Sequence, residues 1–206
     1  MTDPTEHDHQ DHDHHEHHHH EAVPYADAVL GFREDKDEFF RTSARSPLPA
    51  AEREAFEGLP YFPVDEALRF EGLTLEVYAG SEPTTFAIPT SDDKLRPAQR
   101  AGIFQFEVGA VPCTLTAYVF EGGSAESVFV PFLDGTTGTE SYGAGRYLDI
   151  DEEEDGTYTV DFNLAYHPSC VYDMKFSCPL TPPENRLPVR IEAGERLAEA
   201  AEADEA

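Results

Sequence analysis

The sequence predicts a mainly β domain, α+β at the margin: an antiparallel β-barrel or sandwich behind an N-terminal helical segment and a disordered His-rich tail. Three observations carry this expectation. From Phe70 to Leu164, apolar and polar residues alternate in short runs. Turn residues at Gly80–Pro83, Gly122–Ser124 and Gly135–Gly138 separate those runs. Upstream, between Tyr25 and Leu68, the apolar spacing becomes helical.

The elements follow in order. Met1–Glu21 is low-complexity His, Asp and Glu with nothing to bury, so disorder is expected there. Residues 22–195 read as one domain. Val29, Phe32, Phe39 and Phe40 recur at near-helical spacing with Asp27 as N-cap. A second short helix fits Ala50–Phe56 and ends at the "GLPYFP" run. Leu73, Leu75 and Val77 alternate with Thr74, Glu76 and Tyr78. Cys113, Leu115, Ala117 and Val119, then Val128, Val130 and Phe132, repeat the pattern. The run "GRYLDIDEEEDGTYTVDFNLAY" reads as a hairpin with Asp151–Gly156 as its loop. Facing Ile150 with Thr157 sets Arg146 opposite Asp161, a charge pair worth roughly 0.2–1 kcal/mol. Tyr147 then shares the inner face with Tyr158, Val160, Phe162 and Leu164, and Arg146 shares the other with Asp161 and Asn163. A slip of one residue inverts every assignment. Ala193–Ala206 is Ala/Glu-rich, a frayed helix or loose tail, with the domain ending at Glu195.

Charge bounds the function. Forty-two acidic residues face fourteen basic ones, a net charge of −28, and only Lys36, Lys94 and Lys175 are lysines. Such a surface repels nucleic acid phosphates and anionic membranes, so neither is an expected partner. It also repels itself unless salt screens it; the Debye length is about 3 Å at 1 M. A halophilic protein fits this balance, with a merely acidic mesophilic one as the alternative. No apolar run reaches the length of a membrane span. No basic-then-apolar leader is visible, which makes the cytoplasm the expected location. Three cysteines, an odd number, read as free thiols.

Four stretches carry a family resemblance: "REDKDEFFRTSARSPL" (Arg33–Leu48), "GLPYFPVD" (Gly58–Asp65), "VPFLDGTTGTESYGAGRYLD" (Val130–Asp149) and "DFNLAYHPSCVYDMKFSCPLTPPENRLPVRIEAGE" (Asp161–Glu195). Over about residues 30–195 the chain resembles the domain of unknown function family 1684. The resemblance implies a mostly β domain with a helical N-terminal segment, and no activity. Its distinctive residues here are Tyr142, Gly145, Arg146, Asp149, Asp161, Asn163, Tyr166, Pro168, Cys170, Cys178, Pro179, Pro183, Glu184, Asn185 and Gly194. The family pattern has Asn where this chain has His167.

Three groups of residues can carry chemistry. His7, His9, His12, His14, His15, His17, His18, His19 and His20 are interleaved with acids in the tail. Imidazoles on a flexible chain suit zinc or nickel, and the metal should leave as pH falls through about 6.5. A tag or a solvated spacer is the plain alternative. His167, Cys170 and Cys178 give an H-x2-C-x7-C spacing that lacks a fourth zinc ligand, so no core metal is expected. Cys170 beside His167 is a candidate nucleophile, and two buried structural thiols are the preferred reading. Arg146, Asp149, Asp161 and Asn163, with Tyr142, Tyr166, Cys170, Glu184 and Asn185, make the third group. Turned inward, they form a polar ligand site or a network pinning a proline-stiffened strap, "PLTPPENRLPV". The expected function is a small-ligand binding module with a metal-binding tail. A hydrolase-type enzyme using that cluster or Cys170, and a structural protein with no pocket, are the alternatives.

Overall fold

The computed structural model describes residues 23–123 and 127–198. The expected disorder and metal site of residues 1–21, and most of the C-terminal tail, lie outside them. One helix leads, α1 (Tyr25–Thr42). Five strands then form an antiparallel sheet in the order β2 (Thr85–Pro89), β3 (Leu95–Val108), β4 (Val111–Phe120), β5 (Ser127–Phe132) and β6 (Arg146–Asp151). A second, two-stranded sheet pairs β1 (Arg69–Leu73) with β7 (Tyr158–Asp161). The class is β-rich as the alternation predicts. The strands form two sheets joined by single bridges at Glu76–Ile103 and Glu152–Tyr158 rather than a closed ring.

Helix α1 starts after Pro24, with Asp27 in its first turn and not at the cap. Arg41 in the last turn opposes the helix dipole's negative end. Its buried stripe is Val29, Arg33 and Phe40. Phe32 and Phe39 share the helical spacing but stay 45% and 39% exposed, beside a cleft described below. The expected helix at Ala50–Phe56 is a run of turns. Arg53 donates to the carbonyls of Leu48 and Ser43 (3.1 and 2.7 Å), satisfying groups a seven-residue helix would leave open. Leu75 and Val77 also leave the predicted strand. Only Glu76 bridges, to Ile103, and Val77 is 86% exposed. At that crossing a side chain on Gly102 would meet the Glu76 carbonyl at 2.5 Å, so glycine is required.

Cys113, Leu115, Ala117, Val128, Val130 and Phe132 are buried as the alternation predicts. Thr116 and Tyr118 are buried too, because the C-terminal strap covers the other face of β4. The expected β6–β7 hairpin is reduced to one antiparallel bridge, Glu152–Tyr158, outside the expected register. β6 pairs with β5 (Arg146 with Phe132, Ile150 with Val128), and Asp161 pairs with Arg69. Two facts explain this. β7 is only four residues long, since the Asp161 side chain caps a 3-10 turn at Phe162–Leu164. Arg69, 3.8 Å away, supplies the opposite charge that Arg146 was expected to give. The faces invert accordingly. Arg146 lies fully buried on the core side with Leu148 and Ile150, and Tyr147 packs on the far side against Phe129 and Tyr166. Leu164 is 36% exposed, not inside.

The strap is where the prolines place it. Asn185 is its clasp, fully buried: its Oδ1 accepts from Thr116 N, and its Nδ2 donates to the carbonyls of Thr116 and Pro131, at 2.7–2.8 Å. Leu133 and Leu187 add backbone bonds on either side. Replacing Asn185 with Leu leaves three buried backbone groups unpaired. The expected cost is about 2–4 kcal/mol, read as a lower urea midpoint at unchanged slope.

A candidate ligand site under the C-terminal crossing

The site begins with Arg146. Its guanidinium is completely buried, and its Nη atoms donate to the carbonyls of Ala193, Glu195 (3.1 Å) and Ile191 (2.7 Å). Asp134 supplies the counter-charge at 3.4 Å. Burial works against the guanidinium's charge, and the Asp134 and Glu195 carboxylates offset it. The crossing can approach this closely because of Gly194. Its φ is 75°, and a side chain there would meet the carbonyls of Ala165 and Phe162 at 2.6 and 2.7 Å.

This seating aims Glu195 inward, 1% exposed. Its Oε2 accepts from His167 N (2.6 Å) and from the Tyr172 hydroxyl (2.9 Å), and its Oε1 lies 2.6 Å from Lys36 Nζ. Lys36 comes from α1, and its ammonium also sits 4.8 Å from the centre of the Tyr166 ring. A buried carboxylate is costly unless it is paired, and Glu195 has Lys36 as its ion-pair partner on Oε1 and two hydrogen bonds on Oε2. The His167 ring completes the group. Its Nε2 accepts from Tyr142 N at 3.2 Å, which places the proton of the neutral ring on Nδ1, 3.6 Å from Glu195. Burial pulls His167 down to about 4, so it is neutral at neutral pH. Burial and the Glu195 charge push the Tyr172 hydroxyl far above the phenol range.

Above these polar groups lies an open cavity of about 550 Å³. Its walls are Phe32, Phe39, Phe40, Pro47, Tyr166, Tyr172 and Phe176, with Asp35 and Arg45 also contributing. Apolar walls around a few fixed polar groups are the usual make-up of a small-molecule site.

The predicted site residues divide. Tyr142, Tyr166 and Cys170 gather around His167, and Arg146 stands behind the floor. The Tyr166 hydroxyl donates to Asp149 at 2.5 Å, on an exposed surface. The expected meeting of Arg146 with Asp161 and Asn163 does not occur. Asp161 accepts from the Tyr25 hydroxyl (2.7 Å), and Asn163 bonds both backbone groups of Asp65 (2.8 Å). Both tie the N-terminal segment to β7. Glu184 holds Arg100 and Tyr118 under the strap (2.6 and 3.0 Å), and Asn185 is the clasp. Among the described residues, no group of three or more His, Cys, Asp or Glu can hold a metal ion. The His167 ring faces Tyr142 N on one side and Glu195 on the other.

Lys36, Tyr172 and Glu195 were missed. Lys36 carried a signal, being one of three lysines in an acidic chain and flanked by Phe32, Phe39 and Phe40. Glu195 carried none, since it opens an Ala/Glu run that looks like solvated tail.

With the fold and site described, the comparisons place the chain. Residues 54–196 match the family model described as "Protein of unknown function (DUF1684)", and the chain belongs to that family. A solution NMR structure of an uncharacterized protein from Haloarcula marismortui is similar at 36% identity with a TM-score of 0.62, covering 83% of this chain and 93% of that one. No curated protein matches. Among the described residues, no helix is long and apolar enough to cross a membrane.

The buried neutral His167 ties stability to pH. Its folded pKa lies below its unfolded value, so the unfolded chain binds the extra proton first. The His167 contribution is whole above about pH 6.5 and is lost as pH falls towards 4, on the order of 3 kcal/mol in all. His167→Asn is expected to flatten the stability slope across that window in urea titrations. An unchanged slope contradicts the assignment.

Proposed function

We propose that this domain binds a small ligand with an apolar, aromatic-sized body and one anionic or carbonyl group. The observation that carries the reading is the floor of the 550 Å³ cavity. There the Lys36 ammonium spends one contact on Glu195, and two of its three N–H donors remain for a guest. The apolar body packs on Phe32, Phe39 and Phe176, and the acceptor group meets Lys36. The two exposed phenylalanines of α1 then have a use that core packing does not give them.

Binding is favoured over hydrolysis by one detail. The lone pair of His167 Nε2 is taken by Tyr142 N–H, so the ring cannot collect a proton from an attacking group. In the same reading the His-rich tail loads zinc or nickel, the protein works in the cytoplasm, and its acidic surface suits high salt.

The probe is 8-anilinonaphthalene-1-sulfonate, an aromatic body with an anionic head. Lys36→Met alone strands a buried carboxylate and should cost about 3–5 kcal/mol of stability. The double variant Lys36→Met/Glu195→Gln removes both charges and should keep the fold. Its affinity for the probe should fall about 10- to 100-fold, the loss of one charge-assisted hydrogen bond. Equal affinity in the folded double variant overturns the reading. For the tail, native mass spectrometry of chains with and without residues 1–21, titrated with zinc, should show metal only on the longer one. Equal loading of both rejects that part.

A further inference from the structure

The site leaves one pair of groups unexplained. Cys170 and Cys178 flank a short loop, and the Cys170 amide donates to Cys178 Sγ at 3.2 Å. Cys170 also acts on the Cys178 thiol and on the Tyr142 hydroxyl, raising both. Cys113, the third thiol, is held elsewhere in the core beside the Val111 carbonyl. Cys170 is half-buried and Cys178 buried, so one sulfur of the pair is open to a reagent and the other stands behind it. An attacking thiol in reach of solvent with a second thiol at its back is the arrangement that thiol–disulfide exchange requires.

We propose that Cys170 and Cys178 form a reversible disulfide by exchange with a low-molecular-weight disulfide, and that this bond fixes the loop walling the cavity. In the first step the Cys170 thiolate attacks one sulfur of the reagent; the reagent's S–S bond breaks and one thiolate leaves. In the second, Cys178 gives its proton to solvent and attacks Cys170 Sγ. The mixed S–S bond breaks and the second reagent thiolate leaves. The two cysteines are oxidised, and one reagent disulfide is reduced to two thiols. Low-molecular-weight thiol runs the sequence backwards.

The loop between the two cysteines holds Tyr172 and Phe176. Tyr172 lines the cavity and donates to Glu195 behind it, and Phe176 forms part of the wall. Closing the bond restricts the segment that bears both. This consequence for binding rests on the ligand reading above; the disulfide itself does not.

The experiment uses the full reduced chain, incubated folded with glutathione disulfide at mildly alkaline pH. Intact mass should fall by two hydrogens, one thiol should remain, and digestion should yield the Cys170–Cys178 linked peptide. Dithiothreitol should restore the original mass. Cys113→Ser should behave identically, and Cys178→Ser should stop at the glutathione adduct on Cys170. A stable adduct on the unsubstituted chain, a link to Cys113, or no reaction of the folded protein each overturns the proposal. In the second arm, 8-anilinonaphthalene-1-sulfonate is titrated into the reduced and oxidised forms. An affinity change of threefold or more is expected, and equal affinities reject the coupling. Failure of the reduced form to bind the probe at all counts against the ligand reading and leaves the mass result to judge the disulfide.

Discussion

A single guanidinium organises this domain. Arg146 sits with no solvent contact and draws three carbonyls of the C-terminal crossing onto itself. A buried guanidinium needs acceptors close by, and carbonyls meet both of its Nη groups. Those carbonyls belong to residues around Gly194, and that fixes where the Glu195 carboxylate points. Glu195 in turn collects Lys36, Tyr172 and the His167 amide. One buried positive charge thus sets the position of one buried negative charge, and the second holds helix α1 and the Tyr172 loop in place around the cavity.

The distribution of charge follows a related rule. Acids outnumber bases three to one, yet Arg33, Arg100 and Arg146 are all buried, and Lys36 is nearly so. Each covers carbonyls or acids inside the fold: Arg33 donates to the Phe62 carbonyl, and Arg100 pairs with Glu184. Carboxylates dominate the outer surface, where Lys94, Lys175 and Arg190 are exposed among them. Its repulsion is a property of the solvent-facing shell, which salt screens, and not of the site, which carries its own counter-charges.

Much of the fold was legible because strands announce themselves by alternation. β4 and β5 lie where Cys113–Ala117 and Val128–Phe132 place them. Pairing was not legible to the same degree. A cross-strand charge match drew Arg146 to Asp161, but Arg69 makes the same match from a strand far upstream, and nothing local distinguishes the two. One misassigned neighbour then inverted the faces of Arg146 and Tyr147. The site was half visible for the same reason. Tyr142, Tyr166 and Cys170 sit in a chemically dense stretch and were found. Lys36 and Glu195 come from opposite ends of the domain, and only the folded chain shows that they are partners.

That pairing across the length of the domain governs the order in which the protein can be completed on the ribosome. Helix α1 is made before every strand of the two sheets, with Phe32, Phe39 and Phe40 on its surface, and the carboxylate that anchors Lys36 is made after all of them. Until then the helix has an aromatic face and no electrostatic mooring. The nascent chain therefore presents a sticky amphipathic segment while both sheets are being made, and chaperone dependence should concentrate on that segment.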